Sequence, residues 1–155
     1  MKPIIAVIGG QKAEESLLQE AEEIGRLVAG KGAVLVCGGL GGVMEAASRG
    51  AKAVGGITVG ILPESDAKGA NQNIDIPVAT GMGIGRNVII ARTAEALIAV
   101  GGEYGTLSEI AFALQMKKPV VGIKTWDIKG VVAAADAPDA VRKVFELLHS
   151  PFPSA

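Results

Sequence analysis

Four glycine clusters each follow a short apolar run: Gly9-Gly10, Gly38-Gly39-Leu40-Gly41-Gly42, Gly81-Met82-Gly83-Ile84-Gly85 and Gly101-Gly102-Glu103-Tyr104-Gly105. The second leads into a segment carrying Glu45, the third into Arg86-Asn87, and the fourth into Thr106 and Glu109. Where a glycine turn opens a helix, unpaired N–H groups and the positive end of the helix dipole are reachable by an anion. The candidate contacts to a phosphate-bearing ligand are therefore Gly9, Gly10, Gly38, Gly39, Gly41, Gly42, Met44, Glu45, Gly101, Gly102, Glu103, Tyr104, Gly105 and Thr106. The Thr106 hydroxyl is expected to act as a helix cap or as a phosphate donor. A tight strand-to-helix turn also needs glycine, so one such loop alone would say little; two on one edge favour an anion site. Neither is a Walker A loop, since no Gly-Lys-Ser/Thr follows, and the first is not a clean GxGxxG.

Arg86 opens a predicted helix, where a cation is mildly unfavourable, so a functional reason is expected: a bidentate contact to phosphate. Arg92 is open to two readings, an ion pair with a glutamate or a ligand contact. Glu45 and Glu109 fall just inside predicted helices. Each either complements the helix dipole or faces a ribose or the reacting bond, and both readings stay open. Cys37 ends an apolar strand and reads as a small buried hydrophobe. His149, the only histidine, is expected at the surface, so a His-based triad or metal site is not expected. Met82 and Met116 read as packing residues.

The elements that would hold these groups alternate. Strands are predicted at 3–8, 33–37, 58–62, 75–79, 96–100 and 120–123, and helices at 13–29, 43–54, 86–93, 106–116 and 137–149. Alternation with short connections implies right-handed crossovers, a doubly wound parallel sheet and a three-layer α/β/α Rossmann-like domain over residues 1–150, with 151–155 as a tail. In such a sheet the loops after the strands share one edge, where ligands bind near the reversal of strand order.

With 155 residues, one domain is expected. The chain is 49% hydrophobic but only 3% aromatic, so the core must come from Val, Ile, Leu and Ala, as suits parallel strands. A net charge of −1 offers no basic field for nucleic acid. A single cysteine, no signal-like segment after Met1 and no membrane-length apolar run fit a cytoplasmic protein.

Gly38-Gly39-Leu40-Gly41-Gly42-Val43-Met44-Glu45, followed by Ala46-Ala47-Ser48-Arg49-Gly50-Ala51, resembles the first signature of the family historically labelled lysine decarboxylases. That family includes the Lonely Guy (LOG) cytokinin-activating phosphoribohydrolases and the molybdenum-cofactor carrier proteins. The stretch from Arg86 to Thr106, with Glu109 three residues on, resembles the second signature, so the resemblance covers nearly the whole chain. The LOG pattern is an Arg-Lys pair, then Pro-Gly-Gly-x-Gly-Thr-x-x-Glu. Arg86 and Glu109 match it, whereas Asn87 stands for the lysine, Gly101 for the proline and Glu103 for the second glycine.

Resemblance to the hydrolases implies that Arg86 supports the departing base or the ribose phosphate, and that Glu109 stabilises positive charge developing on the ribose. Glu103 adds a negative charge and Asn87 removes a positive one. The pattern Gly-Val-Met-Glu-Ala-Ala with Gly-Gly-x-Tyr-Gly-Thr-Leu-Ser-Glu is more similar to the carrier branch, which implies binding of phosphate-bearing molybdopterin without turnover. A decarboxylase is not expected, for want of a Schiff-base lysine motif for pyridoxal phosphate. The leading expectation is thus a binding protein for a phosphorylated nucleotide-like or pterin ligand. It requires no cofactor or metal of its own and takes molybdenum cofactor or a nucleoside monophosphate as cargo. The alternatives are a nucleoside 5′-monophosphate phosphoribohydrolase and an interaction module with a vestigial pocket. The resemblance also implies a homodimer or homotetramer, for which the Ala-rich helix 43–54 is available; no nucleic acid or membrane partner is expected.

Overall fold

The computed structural model describes residues 1–150, and the expected tail at 151–155 lies outside the described residues. The strands are β1 (Ile4–Gly9), β2 (Val34–Cys37), β3 (Thr58–Leu62), β4 (Ile76–Ala79), β5 (Ala96–Val100), β6 (Val120–Ile123) and β7 (Val131–Ala133). The helices are α1 (Glu15–Gly30), α2 (Val43–Ala53), α3 (Arg86–Thr93), α4 (Tyr104–Gln115) and α5 (Ala137–His149), with one turn of 3₁₀ helix over Gly83–Gly85 ahead of α3. All strand pairs are parallel, in the order β4-β3-β2-β1-β5-β6-β7.

The two-residue period of a strand assigns the layers. In β1, Ile5 and Val7 point to the face covered by α1, α2 and α5, while Ala6 and Ile8 point to the face covered by α3 and α4. Both faces of the central strands are buried, which is why β1, β2 and β5 read as unbroken apolar runs rather than alternating ones. This is the doubly wound, Rossmann-like α/β/α architecture that the alternation predicts.

β1 lies between β2 and β5, with Ile5 opposite both Leu35 and Ala96. The chain winds outward from β1 to β4, then returns to β5 on the other side of β1. The loops leaving β1 and β5 therefore diverge in opposite directions, and a crevice opens between them at the C-terminal edge of the sheet.

Three expectations are corrected. β7 was not predicted: three residues after Gly130 are too few to show a period, and β6 reaches β7 through residues 124–130 without a helix. α4 starts at Tyr104, two residues earlier than expected. The small-residue face of α2 is not free for an oligomer contact, because Val43, Ala47 and Ala51 pack into the core shared with α1. There a Cβ at Gly25 would overlap the Ala47 carbonyl, and one at Gly50 would overlap the Glu22 carbonyl.

Candidate functional site

The crevice holds a cavity of ≈ 400 Å³, within the range of small-molecule sites. The β1 end and its loop supply Ile8, Gly9, Gly10, Gln11 and Lys12; the β2–α2 loop supplies Gly38 and Met44. The 3₁₀ turn and α3 supply Ile84, Arg86 and Asn87, and α4 with its entry supplies Glu103, Gly105, Thr106 and Glu109. Ten residues singled out in the sequence thus meet here: Gly9, Gly10, Gly38, Met44, Arg86, Asn87, Glu103, Gly105, Thr106 and Glu109.

The other seven stand behind or beside the wall. Gly39 packs on Leu62 and Gly60, Gly41 faces the Gln11 carbonyl, and Gly42 passes against the main chain of Gly10 and Gln11 at φ +65°. The Val43 N–H donates to the Gly10 carbonyl at 3.0 Å, so the first two loops are tied together. Glu45 lies half-buried in the first turn of α2, as helix-dipole complementarity would have it, with Arg49 one turn on. Gly101 and Gly102 make the turn into α4 at φ +54° and +98°, values open to glycine without strain. Tyr104 is 79% exposed and lies against Trp126, ring centroids 6.2 Å apart.

Ile8, Gln11, Lys12 and Ile84 also line the cavity, although the sequence motifs do not mark them; Ile8 is the apolar end of β1. Gln11 and Lys12 directly follow Gly9-Gly10, and a lysine at that place was a usable signal; Ile84, an apolar residue between two glycines, gave none.

The start of α4 forms one wall of the cavity. Glu103 is the N-cap residue without a side-chain cap bond, and the first helical bond runs from the Leu107 N–H to the Glu103 carbonyl at 2.9 Å. The amides of Tyr104, Gly105 and Thr106 are therefore left without intrahelical partners. Thr106 is not the cap: it is the third helical residue, 3% exposed, with its side chain against Gly102. Glu109 lies in the second turn rather than the first, which removes the helix-dipole reading for it.

The β6–β7 loop straps this turn from outside. The Gly101 N–H donates to the Ile123 carbonyl at 3.0 Å, Thr125 Oγ1 donates to the Gly101 carbonyl at 2.6 Å, and Trp126 Nε1 donates to the Glu103 carbonyl at 3.1 Å.

Arg86 is 9% exposed and is held by the main chain. Its Nε donates to the Ile61 carbonyl at 2.8 Å, one Nη donates to the Gly38 carbonyl at 3.4 Å, and the other donates to Asn87 Oδ1. Five N–H donors against these three acceptors leave two without a partner among the described residues. Asn87 Nδ2 donates to Ser108 Oγ at 3.1 Å, and Ser108 Oγ donates to the Gly105 carbonyl at 2.6 Å. Glu109 is 6% exposed and makes no ion pair with Arg86. Burial pushes its carboxyl up to about 8, against a smaller opposing pull from the Arg86 charge. Burial thus favours its neutral form, in which it can donate one hydrogen bond and accept another.

The remaining candidates lie off the cavity. Arg92 is exposed, and among the described residues it forms neither an ion pair nor part of the cavity wall. Cys37 is fully buried, its thiol pushed up by desolvation, as expected for a packing residue. His149 is exposed. Met116 is half-buried, whereas Met82 is 47% exposed and is not a core residue.

The chain is similar to known proteins along nearly its whole length. The profile of the SLOG cluster4 family matches residues 2–147. The molybdenum cofactor binding protein of Rippkaea orientalis superposes with a TM-score of 0.91 at 35% identity, over 96% of this chain and 98% of that one. The molybdenum cofactor carrier protein of Chlamydomonas reinhardtii superposes with a TM-score of 0.87 at 39% identity, over 96% and 100%. A cytokinin riboside 5′-monophosphate phosphoribohydrolase of Mycobacterium tuberculosis is 33% identical over 120 residues, 71% of this chain and 64% of that enzyme.

Proposed function

This chain belongs to the SLOG cluster4 family, and from that premise we propose that it binds a phosphate-bearing pterin or nucleotide-like molecule and holds it without turnover, molybdenum cofactor being the cargo we favour. Lys12 and Arg86 bring two basic side chains to the cavity, beside Glu103 and a Glu109 carboxyl that burial pushes toward its neutral form. A phosphate is served by the free amides at the start of α4 and by the spare N–H groups of Arg86. The neutral Glu109 carboxyl, a donor and an acceptor side by side, matches the amide-type edge of a pterin or purine ring. The residues present fit the organic, phosphate-bearing part of such a cofactor. Among the described residues no cluster of three His, Cys, Asp or Glu side chains could hold its metal, so the metal would travel as part of the cargo.

The observation that carries the reading is the close structural match, over nearly the whole chain, to proteins described as binding or carrying molybdenum cofactor. Burial of Glu109 points the same way, since it pushes the carboxyl toward its neutral form and so weakens it as a stabiliser of the cationic ribose that glycosidic cleavage develops. The test is twofold: mass spectrometry of whatever small molecule co-purifies, and incubation with AMP. A co-purifying phosphorylated pterin or nucleotide with no release of adenine is the expected result. Release of adenine that disappears in Glu109→Ala would overturn it in favour of the phosphoribohydrolase, a reading supported by the meeting of Arg86 and Glu109 in one cavity.

The proposal includes self-association as a dimer or tetramer. With α2 spent on the core, the apolar surface available for it is elsewhere: Met82, Ile84, Tyr104 and Phe112 are all exposed. No helix is long and apolar enough to cross a membrane among the described residues, and a cytoplasmic location is part of the same proposal.

A further inference from the structure

Ser108 lies one turn into α4, outside the cavity wall, yet it joins the two halves of the site. The hydrogen bonds can run in only one direction. The Arg86 guanidinium has no acceptor, so Asn87 must receive its bond through Oδ1, which leaves the Nδ2 donors to face Ser108. The Ser108 hydroxyl has a single proton, placed on the Gly105 carbonyl at 2.6 Å, so it must accept from Asn87. The chain of donors therefore runs Arg86, Asn87, Ser108, Gly105. The carboxamide at 87 accepts at one end and donates at the other, whereas a carboxylate could not donate and an ammonium could not accept. Asn87 is 4% exposed, so a missing partner here would not be replaced freely by water.

We infer that Ser108 is a positioning residue of the site: acting through Asn87 and Gly105, it sets the spacing between the Arg86 guanidinium and the amides at the start of α4, and so the affinity for a phosphate-bearing ligand. The inference rests on the proposed binding function and adds a residue to it that touches no ligand.

The test is calorimetric titration of the full chain with AMP and with inorganic phosphate, for wild type, Ser108→Ala, Ser108→Thr, Asn87→Ala, Asn87→Asp and the Asn87→Ala/Ser108→Ala double variant, each also melted thermally. Ser108→Ala is expected to weaken binding about tenfold, the scale of one lost side-chain hydrogen bond. Ser108→Thr, which keeps the hydroxyl, is expected to restore it. Asn87→Asp is expected to fail to restore what Asn87→Ala loses, and the double variant to be no worse than Asn87→Ala alone, since both cut one chain. Unchanged affinity in Ser108→Ala with only a lower melting temperature overturns the inference, as does loss that is strictly additive in the double variant. Should wild type bind neither AMP nor phosphate, the binding function itself falls, and this inference with it.

Discussion

Glu109 ties the site to stability. Its carboxyl has an ordinary value of 4.5 and is raised to about 8 in the fold, so the folded chain keeps a proton that the unfolded chain gives up over that interval. Stability from this group is intact below pH 4.5, declines with a limiting slope of about 1.4 kcal/mol per pH unit, and levels off above pH 8. Glu109→Gln keeps the shape and removes the slope. Urea denaturation between pH 5 and pH 9 should show the variant gaining on wild type as pH rises; parallel curves would refute the assignment. Arg86 gives a second prediction at this scale. A lysine is a point donor without the guanidinium's planar fork, so it cannot satisfy the Ile61, Gly38 and Asn87 acceptors and still face a ligand. Arg86→Lys should weaken AMP binding by tenfold or more in titration.

Among the elements, α3 carries Arg86 and Asn87 at one end and is fastened at the other. Lys118 Nζ donates to the carbonyls of Ala91, Arg92 and Ala94, at 2.9, 2.6 and 2.6 Å. These are the C-terminal carbonyls that a helix leaves unpaired. Lys118→Met should cost about 1–3 kcal/mol by thermal denaturation and loosen amide exchange at the end of α3 first. The close crossing of α1 and α2 makes the reverse prediction: Gly25→Ala improves helix propensity yet should destabilise by about 1–3 kcal/mol or more, because the new methyl meets main chain. Most elements were legible in the sequence because runs such as Ala96–Val100 are continuous, apolar and bounded by glycine or charge. β7 was not, since its pairing with β6 is a tertiary matter. The start of α4 was not, since Tyr104 and Gly105 carry no helix-start signal and Glu103 caps without its side chain.

For the molecule as a whole, the edge that would carry the site followed from strand–helix alternation alone, and its position at the turn between β1 and β5 follows from the observed strand order. What the sequence could not separate was glycines that face a ligand from glycines that let backbones pass. Gly38 and Gly105 line the cavity, while Gly39 and Gly42, one or a few residues from them, serve Leu62 and Gly10 instead. That difference is a few ångströms of lateral placement, set by how three loops stack and invisible in any one of them. At this scale self-association is the property to measure. Sedimentation of the wild type should give a mass above that of one chain, and Ile84→Glu should lower it if that exposed side chain is covered in the assembly.

The indole of Trp126 is bonded to the carbonyl of Glu103, and Glu103 faces the cavity. Because the chain has one tryptophan, its whole indole emission originates at that contact. The molecule thus carries its own optical probe: any occupant that shifts the loop will change colour or quantum yield at a single fluorophore, with no label to attach.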